Sequence, residues 1–375
     1  MRFKELFLKF CMKVISNLYI NKRKVVFSSF SGRQLSDSPK AIFDKLIEFD
    51  NAKIIWIITD KNKVAKYKKK YKSYNVKFCS SKIKKFIHYS TAKVWVDNCT
   101  IPYYFYKNKK QFYIQTWHGD NIFKEILLLD SPMKLIEKQV CDLGVTGSKC
   151  GVEYVFRKAM DYDGEILSIG SPRNDSLVNV TKSEIKELKE KFNFINKKIL
   201  LYAPTFKDYY RNNNLMENVP IDLEKTIDIL EKKTGDEWII IIRKHSASIG
   251  LKVDDISNVF DMSDYDDIND LLKITDLCVS DYSSLMIDFC LLKRPVISLN
   301  CDLDEYLKKS RKFVFSPAEV GFCCVNTIDE FYNILENFNS IDFVEKAEKI
   351  IDFYGINESG NSSIAVAKII NDKIK

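Results

Sequence analysis

The stretch EWIIIIRKH, residues 237–245, sets four isoleucines in succession between charged ends. A strand with one face in water alternates apolar and polar side chains, so a short unbroken β-branched run reads as a strand buried on both faces. Similar runs recur: KVVFSSF (24–30), KIIWIIT (53–59), AKVWVDN (92–98), QFYIQTW (111–117) and CDLGVTG (141–147), then KILLYAPT (198–205), DLCVSDYSS (276–284) and RPVISLN (294–300). Helix-length segments separate most of them, which predicts parallel sheets flanked by helices, an α/β class. A chain of 375 residues exceeds what one core usually organises, so two domains are expected.

The boundary between them falls near Val180 to Phe194, where GSPRNDSLVNVTKSEIKELKEKFN (170–193) passes from a turn-rich segment into a charged helix. Thr181 with Glu184 three residues on is a capping box and marks that helix start. The expected division is an amphipathic basic segment 1–23, Rossmann-like domains 24–185 and 186–350, and a C-terminal helix within 351–375 packing back on the first domain.

In open parallel sheets ligands bind beyond the carboxyl ends of the strands. Those ends read SFSG (29–32), DN (97–98), TWHGD (116–120), TGS (146–148), APTFKD (203–208), RKHS (243–246) and SDYSS (280–284). Two of the three histidines, His118 and His245, fall there, one in each domain, which implies a cleft between the domains. The third, His88 in KKFIHYS, sits on an expected helix and reads as structural. A strand-end histidine serves either packing or proton transfer, and spacing alone leaves both open. Ser283 and Ser284 open a helix through LMIDFCLLK, where unpaired backbone NH groups suit an anion; plain capping by Asp281 or Ser283 is the competing reading.

Ten cysteines show no two-residue pairing of the zinc-site type, and several lie in apolar runs, as in a reduced cytosolic protein without a structural metal. The net charge of +8 is uneven: Lys61 to Lys85 holds eleven lysines and no acid, and Asp254 to Asp270 seven aspartates. The lysine run reads as a solvated face or as a surface for anionic lipid. Tyr67 and Tyr71 interleave at helical spacing, so nucleic acid is the poorer reading. At the N-terminus, Phe3, Phe7, Phe10, Val14 and Leu18 form a helical stripe too interrupted by charge to span a bilayer, fitting either a membrane interface or a helix docked on the body.

Six motifs in order resemble the CDP-glycerol:poly(glycerophosphate) glycerophosphotransferases of teichoic acid synthesis: QTWHGDNIFKEI (115–126), GSPRND (170–175), LYAPTFKD (201–208), IRKHS (242–246), VSDYSSLMIDFCLLKRPVI (279–297) and DEYLKKSRKFVF (304–315). The resemblance implies a GT-B-like fold of two facing Rossmann-type domains with an interdomain cleft. The C-terminal domain would bind a CDP-activated donor, and the N-terminal one would face a lipid-linked acceptor on the inner, cytoplasmic face of the bacterial membrane. His118 is then the base that deprotonates the acceptor hydroxyl, which attacks the β-phosphorus and expels CMP, while His245 contacts the pyrophosphate. Thr205, Arg243, Asp281, Ser283 and Ser284 line the donor side. Arg173 and Arg311 are pyrophosphate candidates or hinge braces. Gly32, Gly119, Asp120 and Lys124 fall on the acceptor side.

Asp120 stands where many members carry threonine, a carboxylate expected to raise the pKa of His118 or to read a different acceptor polyol. No tightly bound cofactor is implied, the CDP-alditol being a substrate. Donors based on ribitol, a nucleotide-sugar glycosyltransferase of the same architecture, and a non-catalytic membrane-docked binding protein are the alternatives.

Overall fold

The computed structural model describes residues 3–126, 141–205, 219–244, 256–310 and 312–375. The chain divides into two compact units, one of Met1–Asp120, Ile126–Ser176 and Ile356–Lys375, the other of Asn121–Glu125 and Leu177–Gly355. The helix opened by the Thr181–Glu184 capping box, Lys182–Phe192, belongs to the second unit, so the chain changes unit at Ser176–Leu177.

The first unit holds β1 (Asn21–Ser28), β2 (Lys53–Ile57), β3 (Val76–Cys79), β4 (Ala92–Asp97), β5 (Phe112–Gln115), β6 (Leu143–Thr146) and β7 (Glu165–Ser168) in one parallel sheet. Its order is β3-β2-β1-β4-β5-β6-β7, which reverses direction between β1 and β4. The second unit holds β8 (Lys198–Tyr202), β9 (Trp238–Ile242), β10 (Val259–Asp261), β11 (Leu277–Ser280), β12 (Val296–Leu299) and β13 (Cys323–Val325), ordered β10-β9-β8-β11-β12-β13 and again parallel. Here the order reverses between β8 and β11. Four strands have no counterpart among the apolar runs: β3, β7, β10 and β13, the four sheet edges. β3 and β7 are partly exposed and carry Lys77 and Glu165, and β10 and β13 are only three residues long, so none of the four shows a long unbroken apolar run.

One face of the first sheet packs Val25, Phe27 and Trp56 against α2 (Asp37–Leu46), whose Phe43 meets the Trp56 ring edge-on at 5.2 Å. The lysine run forms α3 (Lys61–Lys70), and its Tyr67, with Tyr71 just beyond, turns into this same core. The tyrosines are therefore core residues, while the lysines stay outside. The helix Ser362–Ile374 contributes Val366, Ala367, Ile370 and Ile374 to that core, so the end of the chain completes the first unit. In the second unit Leu200, Ile240, Ile242, Leu277, Val279 and Ile297 form the corresponding core.

The N-terminal stripe is a helix, α1 (Phe3–Leu18), lying on α4 (Lys82–Thr91). Met12 and Ser16 are buried beneath it, and Asn17 accepts a 2.7 Å hydrogen bond from Asn108. Phe3 is nevertheless 84 % exposed, Phe7 61 % and Phe10 62 %. The helix thus rests on the body by one side and leaves its apolar stripe open. Among the described residues, no helix is long and apolar enough to cross a membrane.

Candidate active site

The reversal of strand order in the first sheet opens a crevice beyond β1 and β4, the usual place for a ligand in such sheets. The loops there carry Phe30–Gly32 after β1, Asn98 and Cys99 after β4, and Trp117–Asp120 after β5. Their backbone is strained: Phe30, Ser31, Asp37 and Trp117 have φ of 47°, 59°, 64° and 51°. Such conformations cost of order 1–3 kcal/mol each and persist only where surroundings enforce them. Gly32, at φ 92°, approaches so closely that an added Cβ would lie 3.1 Å from Ile57 and 3.3 Å from Thr59.

The enforcing residue at Trp117 is Gln115, fully buried at the end of β5. Its Oε1 accepts from the Trp117 NH at 2.8 Å, and its Nε2 donates to the Cys99 carbonyl at 2.9 Å and the Tyr113 hydroxyl at 2.7 Å. This clamp delivers His118. The imidazole Nδ1 lies 2.6 Å from the Asn98 carbonyl oxygen, and a carbonyl only accepts, so Nδ1 carries the hydrogen. The neutral ring therefore has its lone pair on Nε2. Asn98 also accepts from the Phe30 NH at 2.7 Å, tying the β1 and β4 loops together.

Burial lowers the pKa of His118 first; the bond to Asn98 and the Asp37 carboxylate oppose this, and Arg173 and Arg33 reinforce it. The residue as a whole is nonetheless only half-buried. The result is a neutral imidazole at neutral pH, the form a general base requires. Asp37, at the start of α2, pairs with Arg173 at 3.9 Å, and the Arg173 NH donates to the Ser38 hydroxyl at 3.3 Å. Arg173 is buried and stands within the electrostatic reach of His118.

Asp120 does something other than the sequence suggested. It is 1 % exposed, and its Oδ2 accepts from the Gly147 NH at 2.9 Å and from the Ser171 hydroxyl. Ser171 also donates its NH to Glu358 at 2.8 Å. A side chain at Gly147 has no room, since its Cβ would lie 2.7 Å from the Ser171 nitrogen. Asp120 thus knots the loops after β5, β6 and β7, and the expected rise in the pKa of His118 is replaced by a fall. The carboxylate that acts on the ring is Asp37. Gly119 is buried beside these residues.

In the second unit the reversal lies between β8 and β11, and it joins Thr205 to Asp281. Asp281 Oδ1 accepts from the Thr205 NH at 2.8 Å and the Tyr282 NH at 2.7 Å, while Ser280 donates to the Ala203 carbonyl at 2.6 Å. The shielded Thr205 hydroxyl has no partner among the described residues. Asp281 therefore orders the loop without capping the helix Leu285–Cys290. Ser284, its N-cap residue, makes no side-chain cap bond, and Ser283 accepts only a 3.4 Å contact from Leu285. Both serines are partly accessible.

Arg243 turns to the backbone. Its NH1 donates to the carbonyls of Met262, Ser263 and Tyr265 at 2.8, 2.6 and 2.5 Å, bracing the turn after β10. Aspartates of the acidic run, Asp267 foremost, supply the opposing charge. Lys124, assigned by sequence to the acceptor side, groups with the second unit through a bridge to Phe313, and the Glu125 NH donates to the Lys312 carbonyl at 3.0 Å. His245 and Arg311 lie outside the described residues.

The sequence profile of the CDP-glycerol:poly(glycerophosphate) glycerophosphotransferase family matches residues 9–371. This chain is a member of that family. Among glycerophosphotransferase relatives it is 34 % identical to a teichoic acid glycerol-phosphate transferase of Staphylococcus aureus (strain NCTC 8325 / PS 47), over 80 % of this chain and 79 % of that protein. It is 31 % identical to a teichoic acid poly(glycerol phosphate) polymerase of Staphylococcus epidermidis (strain ATCC 35984), over 95 % of this chain but only 51 % of that one, so the chain spans about half that polymerase. The wall teichoic acid polymerase TagF, in a structure soaked with CDPG, superposes with a TM-score of 0.82 at 26 % identity, covering 99 % of this chain and 94 % of the other. The fold is accordingly TagF-like, that is GT-B-like.

In this member of the family, sequence reasoning singled out His118 but gave Gln115, Asn98 and Asp37 no role. Gln115 stood in the quoted motif and Asn98 at a strand end. Asp37 carried no signal, because its relation to His118 exists only after folding.

Proposed function

We propose that the chain transfers glycerol phosphate from CDP-glycerol to a hydroxyl of a lipid-linked saccharide or of a growing teichoic-acid-type polymer. The acceptor oxygen attacks the donor β-phosphorus, the bond from that phosphorus to the bridging oxygen breaks, and CMP leaves. His118 Nε2 takes the hydroxyl proton. The observation that carries the reading is the neutral imidazole, its Nδ1–H fixed by Asn98 at the sheet crossover, in a member of this family.

On this reading Thr205, Ser283 and Ser284 take the donor phosphates on the loops that Asp281 holds, and Arg173 and Asp37 set the electrostatics of the base. No tightly bound cofactor enters the scheme. The test is a donor panel of CDP-glycerol, CDP-ribitol and nucleotide sugars with a lipid acceptor, assayed for nucleotide release. CMP release with CDP-glycerol is expected; release from a nucleotide sugar alone would overturn the reading in favour of glycosyl transfer.

The open stripe of α1 supports a second element of the proposal: the enzyme docks peripherally on the inner face of the bacterial membrane, with Phe3, Phe7 and Phe10 in the interface. Co-sedimentation with anionic vesicles at low salt is expected, and Phe7→Asp with Phe10→Asp abolishes it. Absence of wild-type binding refutes the docking.

A further inference from the structure

A second cationic cluster lies towards the amino ends of the first sheet, whereas His118 lies beyond a carboxyl end. Lys24 on β1 is in register with Lys53 on β2, and Lys77 on β3 pairs with Ile55, two residues beyond Lys53. Side chains alternate along a strand, so Lys24, Lys53 and Lys77 project from one face. The opposite face carries Val25 and Ile54 into the core. On the lysine face α4 packs against β1 and β4 and brings Lys84 and His88, one helical turn apart. Lys24 is 8 % exposed and its Nζ donates to Thr91, the last residue of α4, at 2.5 Å.

Among the described residues no carboxylate pairs with Lys24, Lys53, Lys77 or Lys84. Burial, then Lys24, Lys84, Lys53 and Lys77, depress His88 to about 4, so the ring is neutral and adds no further positive charge. The Nδ1 of His88 is shielded and has no partner among the described residues. Four like charges gathered without a counter-charge repel one another, and an anion relieves that repulsion. The cluster also adjoins apolar surface. Ile83 and Ile87 of α4 are 75 % and 45 % exposed, and α4 carries α1 with its open phenylalanines.

We propose that Lys24, Lys53, Lys77, Lys84 and His88 form a binding site for the phosphate group of an anionic membrane lipid, separate from the reaction site. Lys53, Lys77 and Lys84 donate to the phosphate oxygens, and Lys24 adds charge from beneath. Lysines near an anionic lipid surface are drawn to its negative potential. The proposal rests on the membrane-docking reading for the lipid source alone; the affinity for phosphate stands on the lysines.

The test uses the full chain with two probes: monomeric short-chain phosphatidylglycerol, read by the His88 imidazole NMR resonances, and phosphatidylcholine vesicles with or without phosphatidylglycerol, read by sedimentation. Inorganic phosphate is the control. The soluble lipid shifts His88 in the wild type and in the Phe7→Asp, Phe10→Asp variant, and at least tenfold more weakly in the Lys53→Gln, Lys77→Gln, Lys84→Gln variant, which also loses at least tenfold in vesicle binding. If the lysine variant binds both probes like the wild type, the site is refuted even when the phenylalanine variant has lost vesicles and docking stands. If the wild type binds the soluble lipid through these lysines but no vesicles, docking fails and the site stands. Equal response to inorganic phosphate overturns the lipid assignment.

Discussion

His118 donates its Nδ1 hydrogen to the backbone carbonyl of Asn98 across 2.6 Å, and so keeps the lone pair of the neutral ring on Nε2. Replacing the ring removes the base: His118→Ala should lower CMP release by a hundredfold or more, the usual scale of general-base catalysis. Unchanged turnover would take His118 out of the mechanism.

The acid limb of the kcat/KM profile should lie below pH 6.5, because burial lowers the pKa of His118. Asp37 raises that pKa and Arg173 lowers it. Asp37→Asn should therefore move the limb to lower pH and Arg173→Gln to higher pH. Opposite shifts identify electrostatic action on the ring; two shifts of the same sign would not fit.

Gln115 holds the strained Trp117 turn through three hydrogen bonds. In Gln115→Leu the Trp117 NH loses its acceptor, a buried loss of about 1–3 kcal/mol. We expect kcat to fall at least tenfold while KM for the donor changes little, since the second-unit loops are untouched. A selective rise in donor KM would contradict this.

Asp120 is structural, so it should not choose the acceptor polyol. Asp120→Ala removes the acceptor for Gly147 and Ser171 and should destabilise the first unit by about 1–3 kcal/mol, with Asp120→Asn less affected. The ranking of acceptors should remain that of the wild type. Changed acceptor preference at full stability would restore a recognition role.

Asp97 gives a pH signature of folding. Burial pushes its carboxyl to about 6, against hydrogen bonds from the Cys99 NH and the Tyr89 hydroxyl. The folded state then holds this proton more tightly than the unfolded chain, so stability from this group is full below about pH 4 and declines as pH rises to about 6. A carboxyl held at about 6 when folded and near 3.8 when unfolded corresponds to roughly 2–3 kcal/mol. Urea unfolding of Asp97→Asn should gain on the wild type between pH 4 and 7; a constant difference would refute it.

The sequence carried the central strands without ambiguity. EWIIIIRKH and KIIWIIT supply β9, buried throughout, and β2, buried from Ile54 to Ile57, because a strand covered on both faces has to be apolar throughout. The edges escaped for two reasons: β3 and β7, half-exposed, tolerate lysine and glutamate, and β10 and β13 are three residues long. Tyr67 and Tyr71 were ambiguous in a lysine run until the core that receives them was visible.

What the sequence by itself determined is the class of fold, the family and the strand ends where chemistry collects, His118 among them. These are local properties: a buried run or a motif is complete within a few residues. Only the tertiary structure decided which carboxylate acts on His118. Asp37 and Asp120 are both acids of the first unit, and Asp120 is the nearer in sequence. Yet Asp120 turns inward to Gly147 and Ser171, while α2 carries Asp37 to Arg173 and within reach of the ring. Charge acts through space and burial, and both are set when the parallel sheet gathers the ends of β1, β4 and β5.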